Sequence, residues 1–149
     1  MILALLKCTE CGCSHDDCKA SRSPLELFRM KLSDHFTQLH LWPNCFDLSV
    51  ESFTMKNNEQ IGGGISPGDD DSESPYLYVN PYPFDEKMVD PSLAIGKWHT
   101  TGWNGIKVEW NELEDKIEQE ISSTIYDLFL VAKRNFRLPS NSSLHPNCN

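Results

Sequence analysis

The sequence predicts an α+β domain: an antiparallel sheet of about five strands with two helices packed on one face. Short segments alternate apolar and polar residues with the period of two that is typical of half-buried strands, and turn residues separate them. Apolar residues recur in steps of three and four near each end of the chain, which predicts two amphipathic helices. A length of 149 residues suits one domain, which we assign to residues 23–138.

The first helix is predicted to begin at Ser23. This residue is the expected N-cap, Pro24 occupies the first helical position, and Glu26 is placed to complete a capping box. Four apolar residues follow at helical spacing: Leu25, Phe28, Leu32 and Phe36. The pattern predicts a helix of about ten residues.

Two strands are predicted next, on either side of a turn at residues 42–44. The first strand contains Leu39 and Leu41 in alternation with polar residues. In the second, apolar Phe46, Leu48 and Val50 alternate with polar Asp47, Ser49 and Glu51. Each strand should therefore have one buried face. Residues 56–75, KNNEQIGGGISPGDDDSESP, combine consecutive glycines with acidic side chains, and we interpret them as a flexible acidic loop.

The next strand is predicted in YLYVNPYPF, with Tyr76 and Tyr78 on one face and Leu77 and Val79 on the other. A hairpin should follow at KWHTTGWNGIKVEW. If Asn104-Gly105 forms a two-residue turn, His99 and Trp103 share the buried face of residues 106, 108 and 110. A one-residue shift of the turn would exchange Trp98 for His99.

The closing helix is predicted to begin after Asn111, with Glu114 in its first turn. Its apolar positions follow helical spacing: Leu113, Ile117, Ile121, Ile125, Leu128 and Ala132. Pro139 is the latest point at which it can end, and residues 139–149 are interpreted as a disordered tail.

The overall charge argues against two classes of partner. The net charge is −9, and no cluster of lysines and arginines is present, so we expect neither a nucleic acid nor an anionic membrane surface as the partner. No apolar run approaches the ~18 residues that a membrane span needs. The apolar start MILALLK lacks the basic region and cleavage site of a signal peptide, so the expected location is cytoplasmic.

A cysteine cluster in residues 1–22 is the candidate metal site. Its proposed ligands are Cys8, Cys11, Cys13 and Cys18, with His15 able to replace one of them. Cys8-x-x-Cys11-Gly12 has the form of a zinc knuckle, but a second Cys-x-x-Cys at the usual distance is missing. Three interpretations stay open: structural zinc, an incidental cysteine-rich extension, and thiol redox chemistry.

Aromatic side chains supply the candidate ligand-binding site. It comprises Trp42, Tyr76, Tyr78, Trp98, His99 and Trp103. One interpretation assigns Trp103 and Trp110 to the core, with His99 hydrogen-bonded among them. The other assigns the aromatic residues to a pocket, or to an exposed sheet surface, that binds an apolar small molecule or a protein partner.

Three segments resemble the C-terminal half of domain-of-unknown-function family 5996, an uncharacterised and mostly bacterial family. They are HLWPNCFDLSVESFT, YLYVNPYPF, and WHTTGWNGIKVEW followed by a long helix, and the resemblance covers about residues 25–136. The longer N-terminal region of that family is absent here, and the cysteine cluster stands in its place. The resemblance implies no established activity.

These observations favour a non-catalytic binding or interaction module over an enzyme. The common hydrolase, nucleotide-binding and metalloprotease motifs are missing from the sequence. Two alternatives are kept. One is an enzyme of unknown reaction with His99 as its acid–base group in an aromatic pocket, and the other is an adaptor stabilised by zinc.

Overall fold

The computed structural model describes residues 23–33, 35–53, 58–90 and 92–136. Within these ranges the chain forms one antiparallel sheet of seven strands and two α-helices, so the predicted α+β class and the antiparallel sheet are confirmed. The expected number of about five strands was too low. The cysteine-rich residues 1–22 and the tail 139–149 lie outside the described residues.

The elements follow one another along the chain as α1 (Pro24–Arg29), β1 (His35–Phe36), β2 (His40–Trp42), β3 (Asp47–Phe53), β4 (Gln60–Ser66), β5 (Tyr76–Tyr82), a 3-10 helix (Glu86–Met88), β6 (Lys97–His99), β7 (Gly105–Glu109), a second 3-10 helix (Trp110–Glu112) and α2 (Glu118–Asn135). The strand order is β1-β3-β4-β5-β7-β6, and β2 also pairs with β3. Strands β4 and β5 therefore occupy the middle of the sheet.

The register of the strands divides the sheet into two faces. We call the first the core face. Its buried side chains are Val50, Ile61, Ile65, Leu77, Val79, Ile106 and Val108. We call the second the tyrosine face. It carries Asp47, Ser49, Glu51, Gly62, Gly64, Ser66, Tyr76, Tyr78, Asn80, Lys107, Glu109 and His99. The predicted separation of Tyr76 and Tyr78 from Leu77 and Val79 is confirmed.

Strand β4 corrects the interpretation of residues 56–75 as a flexible loop. Residues 60–65 pair with β3 on one side, residues 60–66 pair with β5 on the other, and residues 61–66 are buried. Glycine weakens a strand because it supplies no side chain to pack, and three consecutive glycines therefore resemble a loop. Here other elements fill the space: the Phe28 ring and Ile125 both lie against Gly63. The acidic segment after Ser66 does connect two strands, β4 and β5, as predicted for a loop.

The hairpin of β6 and β7 has a different register from the one predicted from Asn104-Gly105. His99 pairs with Gly105 and Trp98 with Ile106, so a five-residue connection, 100–104, joins the strands. Because side chains alternate between faces, Trp98 lies on the core face and His99 on the tyrosine face. The main prediction was wrong here, and its one-residue alternative gives the observed faces.

Both helices are shorter than predicted. Helix α1 has 6 residues, and Ser23 makes no capping hydrogen bond through its side chain. Glu26 does not complete a capping box, because its carboxylate accepts a 3.0 Å hydrogen bond from Arg29 Nε. The short helix nevertheless buries Leu25 and Phe28.

Helix α2 begins at Glu118, well after the predicted N-cap Asn111. Residues 110–112 instead form a 3-10 helix, and the Glu112 carboxylate accepts a hydrogen bond from the Glu109 backbone N–H at 3.1 Å. At the true start of α2, Glu120 accepts from the Ile117 N–H at 3.0 Å. No helix in the described ranges combines the length and the apolar character that crossing a membrane requires.

The packing at Gly63 leads to a stability prediction. A Cβ atom there would lie 2.9 Å from Phe28 Cε1 and 3.3 Å from Ile125 Cγ2. We expect Gly63→Ala to lower the free energy of unfolding by about 1–3 kcal/mol, because the core must expand to admit the methyl group. Urea unfolding followed by circular dichroism measures the change.

A second variant controls for effects of the methyl group unrelated to Phe28. Because leucine is smaller than phenylalanine, Gly63→Ala should cost at least about 0.5 kcal/mol less in a Phe28→Leu background than in the wild type. Strict additivity of the two substitutions would contradict the described packing.

Candidate ligand-binding site on the tyrosine face

A cavity of about 200 Å³ opens on the tyrosine face. It is lined by Asp47, Tyr76, Tyr78, Asn80 and Trp103. Strand alternation places residues 76, 78 and 80 of β5 on the same side of the sheet. Asp47 is the first residue of β3, and Trp103 belongs to the connection between β6 and β7. The site therefore forms only when three separate parts of the chain come together.

Gly64 allows the Tyr78 ring to lie flat across the neighbouring strand. The two residues are register partners, and a Cβ on Gly64 would lie 2.5 Å from both Cζ and the hydroxyl oxygen of Tyr78. Any larger residue at position 64 would push the ring away from the sheet. The shape of the cavity thus depends on the absence of a side chain in β4.

Three aromatic rings form the apolar walls. The rings of Tyr76 and Trp103 stack with their centroids 6.0 Å apart and an interplanar angle of 10°. Tyr78 meets Trp103 edge-on at 6.0 Å. His99 lies against Trp103 at a centroid distance of 4.4 Å. Such contacts hold the rings in place at separations that aromatic pairs favour.

Asp47 supplies a carboxylate to the cavity. Burial raises the pKa of Asp47 above its ordinary value, and hydrogen bonds from the side chains of Ser66, Tyr78 and Cys45 lower it to a smaller extent. Its Oδ1 atom is buried and accepts no hydrogen bond from the described residues. Buried acceptors usually have a donor partner, and this oxygen has none among the described residues.

A second pair of acceptors lies over Gly62. The Glu51 carboxylate and the Asn80 carboxamide oxygen both approach the position that a Cβ would occupy there. Burial raises the pKa of Glu51, although the Ser49 hydroxyl donates to it at 3.4 Å. Asn80 Oδ1 is buried without a donor among the described residues.

Lys107 alternates with the buried residues 106 and 108, which favours a solvated side chain, but it is only 6% exposed. Its ammonium group forms an ion pair with Glu109 at 3.1 Å and lies 4.5 Å from the centroid of the Tyr76 ring. The Tyr76 hydroxyl donates to Asp69 Oδ2 at 2.5 Å. This bond lowers the pKa of Asp69, whereas burial and the same bond raise the pKa of Tyr76.

The six aromatic residues of the predicted site lie in different parts of the fold. Tyr76, Tyr78 and Trp103 line the cavity, and His99 packs against Trp103 without lining it. Trp42 lies at the edge, where its Nε1 donates to Ser49 Oγ at 3.0 Å. Trp98 is on the core face, and its Nε1 donates to the Asp90 carbonyl oxygen at 3.0 Å. Neither Trp103 nor His99 belongs to the core.

Sequence reasoning missed Asp47 and Asn80 as cavity residues. Asp47 was assigned to the solvated face of a strand, and Asn80 stands between an apolar residue and a proline. Asn80 continues the alternation of Tyr76 and Tyr78 along the strand, and this pattern could have placed it on the same face. Asp47 reaches the tyrosines only across β4, so treating residues 60–66 as loop concealed it.

The described residues contain no group of three or more side chains that could hold a metal ion. The predicted zinc ligands Cys8, Cys11, Cys13 and Cys18 lie outside the described residues. Zinc binding by that segment stays a prediction.

The raised pKa of Glu51 gives stability a defined dependence on pH. Below about pH 4 the Glu51 carboxyl group is protonated in both the folded and the unfolded chain, so its ionisation does not change the free energy of unfolding. As the pH rises the unfolded chain ionises first, so the folded state loses stability. We expect Glu51→Gln, which cannot ionise, to gain stability relative to the wild type between pH 4 and pH 7.

Urea unfolding of both proteins at the two pH values measures this difference. The exposed Glu114 provides a matched control, because Glu114→Gln makes the same charge change away from the site. A stability difference between Glu51→Gln and the wild type that is equal at both pH values would refute the assignment.

The chain was compared with known proteins in three ways. No protein-family model, no curated protein and no solved structure matches it. The site must therefore be interpreted from its own geometry.

Proposed function

We propose that this domain is a non-catalytic binding module that holds a small ligand in the cavity of the tyrosine face. The observation that carries the proposal is the convergence of Tyr76, Tyr78 and Trp103 on an open cavity. These rings lie on the opposite face from the apolar core. Ligand sites combine aromatic walls with polar groups that fix the orientation of the ligand, and here Asp47 and Asn80 are the polar groups.

The cavity volume limits the ligand. Sites for drug-sized molecules have volumes of roughly 300–1,000 Å³, and this cavity measures about 200 Å³. The ligand is therefore a small molecule or one side chain of a larger partner. Burying its apolar part against the rings contributes roughly 25 cal/mol per Å² of apolar surface removed from water.

The architecture behind the site is part of the proposal. We propose that α1 and α2 both cover the core face, and this is supported by the approach of Phe28 and Ile125 to Gly63. Coverage of that face leaves the tyrosine face for the ligand. The proposed relation to family 5996 covers only the C-terminal half of that family. The proposed site does not need the other half, because all five lining residues lie within residues 47–103.

An enzyme that uses His99 is the second candidate. Its support is that His99 Nε2 is buried and has no hydrogen-bond partner among the described residues. His99 does not line the cavity, however, and its ring packs against Trp103. A general acid or base must come within hydrogen-bond reach of its substrate. The geometry favours His99 as a residue that positions Trp103.

A binding screen with two tryptophan variants tests the proposed function. Small fragments are screened by ligand-observed NMR against the full chain, and hits are titrated against Trp103→Ala and Trp98→Phe. We expect Trp103→Ala to weaken binding at least tenfold, because it removes a wall of the cavity. Trp98→Phe changes an indole on the core face and should leave affinity within about twofold.

The proposed function would be wrong if no fragment binds the folded wild type. It would be equally wrong if the hits bind Trp103→Ala as tightly as the wild type, since they would then occupy another surface. Circular dichroism of each variant establishes that it is folded before the comparison.

A further inference from the structure

We propose that the ligand presents a cationic alkylammonium or guanidinium group, and that Asp47 is its anionic anchor. This inference rests on the proposed function, because it names the chemical class that the same cavity recognises. Four features of the site support the proposed cation: its hydrogen-bond partners, its aromatic surfaces, its charges and its size.

The lining has acceptors that lack donors. Asp47 Oδ1 and Asn80 Oδ1 are buried and receive no hydrogen bond from the described residues. A buried polar atom without a partner costs about 1–3 kcal/mol. A ligand with N–H groups would satisfy these oxygens, whereas a carboxylate or a phosphate would add further acceptors. These two oxygens therefore favour a ligand that donates hydrogen bonds.

The walls favour positive charge as well. The face of an aromatic ring carries partial negative charge and attracts a cation within about 6 Å of its centroid. Tyr76 already holds the ammonium group of Lys107 at 4.5 Å. Tyr78 and Trp103 present further aromatic surface to the cavity. One of these rings thus already contacts an ammonium group of the protein itself, that of Lys107.

The charge of Lys107 does not oppose a second cation strongly, because Glu109 neutralises it at 3.1 Å. None of the five lining residues is cationic, and Asp47 is their carboxylate. Partial burial disfavours the ionised form of Asp47. A bound cation would stabilise that form, since an opposite charge within a few ångströms favours ionisation.

The size of the cavity fits a head group with a short chain and excludes a large ligand. About 200 Å³ accommodates a guanidinium or an ammonium group on a few methylenes. Two sources supply this chemistry: a free small amine, or an arginine or lysine side chain of a peptide. Both present the same cationic group, and the experiment separates them.

The test compares two probes of nearly identical shape by isothermal titration calorimetry on the full chain. They are n-butylguanidinium, which is cationic, and n-butylurea, which is neutral. We expect the cation to bind at least tenfold more tightly, because a charge-assisted hydrogen bond to a carboxylate is about twice as strong as a neutral one. Raising the salt concentration to 1 M should weaken only the cation.

A blocked Gly-Arg-Gly peptide separates the two sources. Binding at least as tight as that of n-butylguanidinium identifies a side chain of a partner as the source of the cation. A tenfold or greater loss identifies a free small amine. Either result supports the proposed chemistry, provided that Asp47 is required.

The requirement for Asp47 is tested with matched variants. Asp47→Asn should weaken n-butylguanidinium at least tenfold and leave n-butylurea within twofold. Asp127→Asn makes the same charge change on an exposed position of α2 and should change neither. If Asp47→Asn does not fold, the comparison of the two probes on the wild type still decides the question.

Three outcomes overturn the inference in different ways. If n-butylurea binds as tightly as the cation and needs Trp103, the cavity binds ligands but does not select a charge, so only the inference fails. If neither probe nor any fragment binds the folded protein, the proposed function fails with it. An equal loss in Asp127→Asn would assign the effect to overall charge and also refute the anchor.

Discussion

The absence of side chains at residues 62–64 is the constraint on which the rest of this structure depends. Strand β4 runs through the middle of the sheet, and large groups press against both of its faces. Phe28 and Ile125 lie against it on the core face, and Tyr78 and Glu51 lie against it on the tyrosine face. Glycine costs strand stability because it supplies no side chain, and the groups packed above and below it offset that cost.

The same constraint makes the two faces chemically different. On the core face, apolar side chains form a buried cluster. On the tyrosine face, the rings of residues 76 and 78 lie beside partly buried carboxylates, and two oxygens of the cavity have no donor among the described residues. Buried polar atoms usually have a hydrogen-bond partner, so these two oxygens mark the polar part of the cavity. Packing on one face thus leaves the cavity on the other as the proposed binding site.

Much of the fold could be predicted from local patterns, because alternation determines which face a residue occupies once its strand is known. The fold class, the faces of residues 76–79 and the burial of Ile106 and Val108 follow in this way. Strand β4 could not be predicted, because its stability comes from distant side chains and its own composition favours a loop. The hairpin register was missed because Asn104-Gly105 suggests a tight turn, whereas the chain uses a longer connection. Asp47 joins the tyrosines only across β4, so that one error also concealed a residue that lines the cavity.

Native-state hydrogen exchange of the β4 amides distinguishes a central strand from a glycine-rich loop. Residues 61–65 pair with strands on both sides and are buried, so their ladder amides should exchange as slowly as those of β5, close to the limit of global unfolding. Glycine-rich residues in a solvated loop would exchange orders of magnitude faster, at rates near those of an unfolded chain. Fast exchange at residues 61–65, in a protein whose β5 amides are protected, would contradict the account of both the fold and the site.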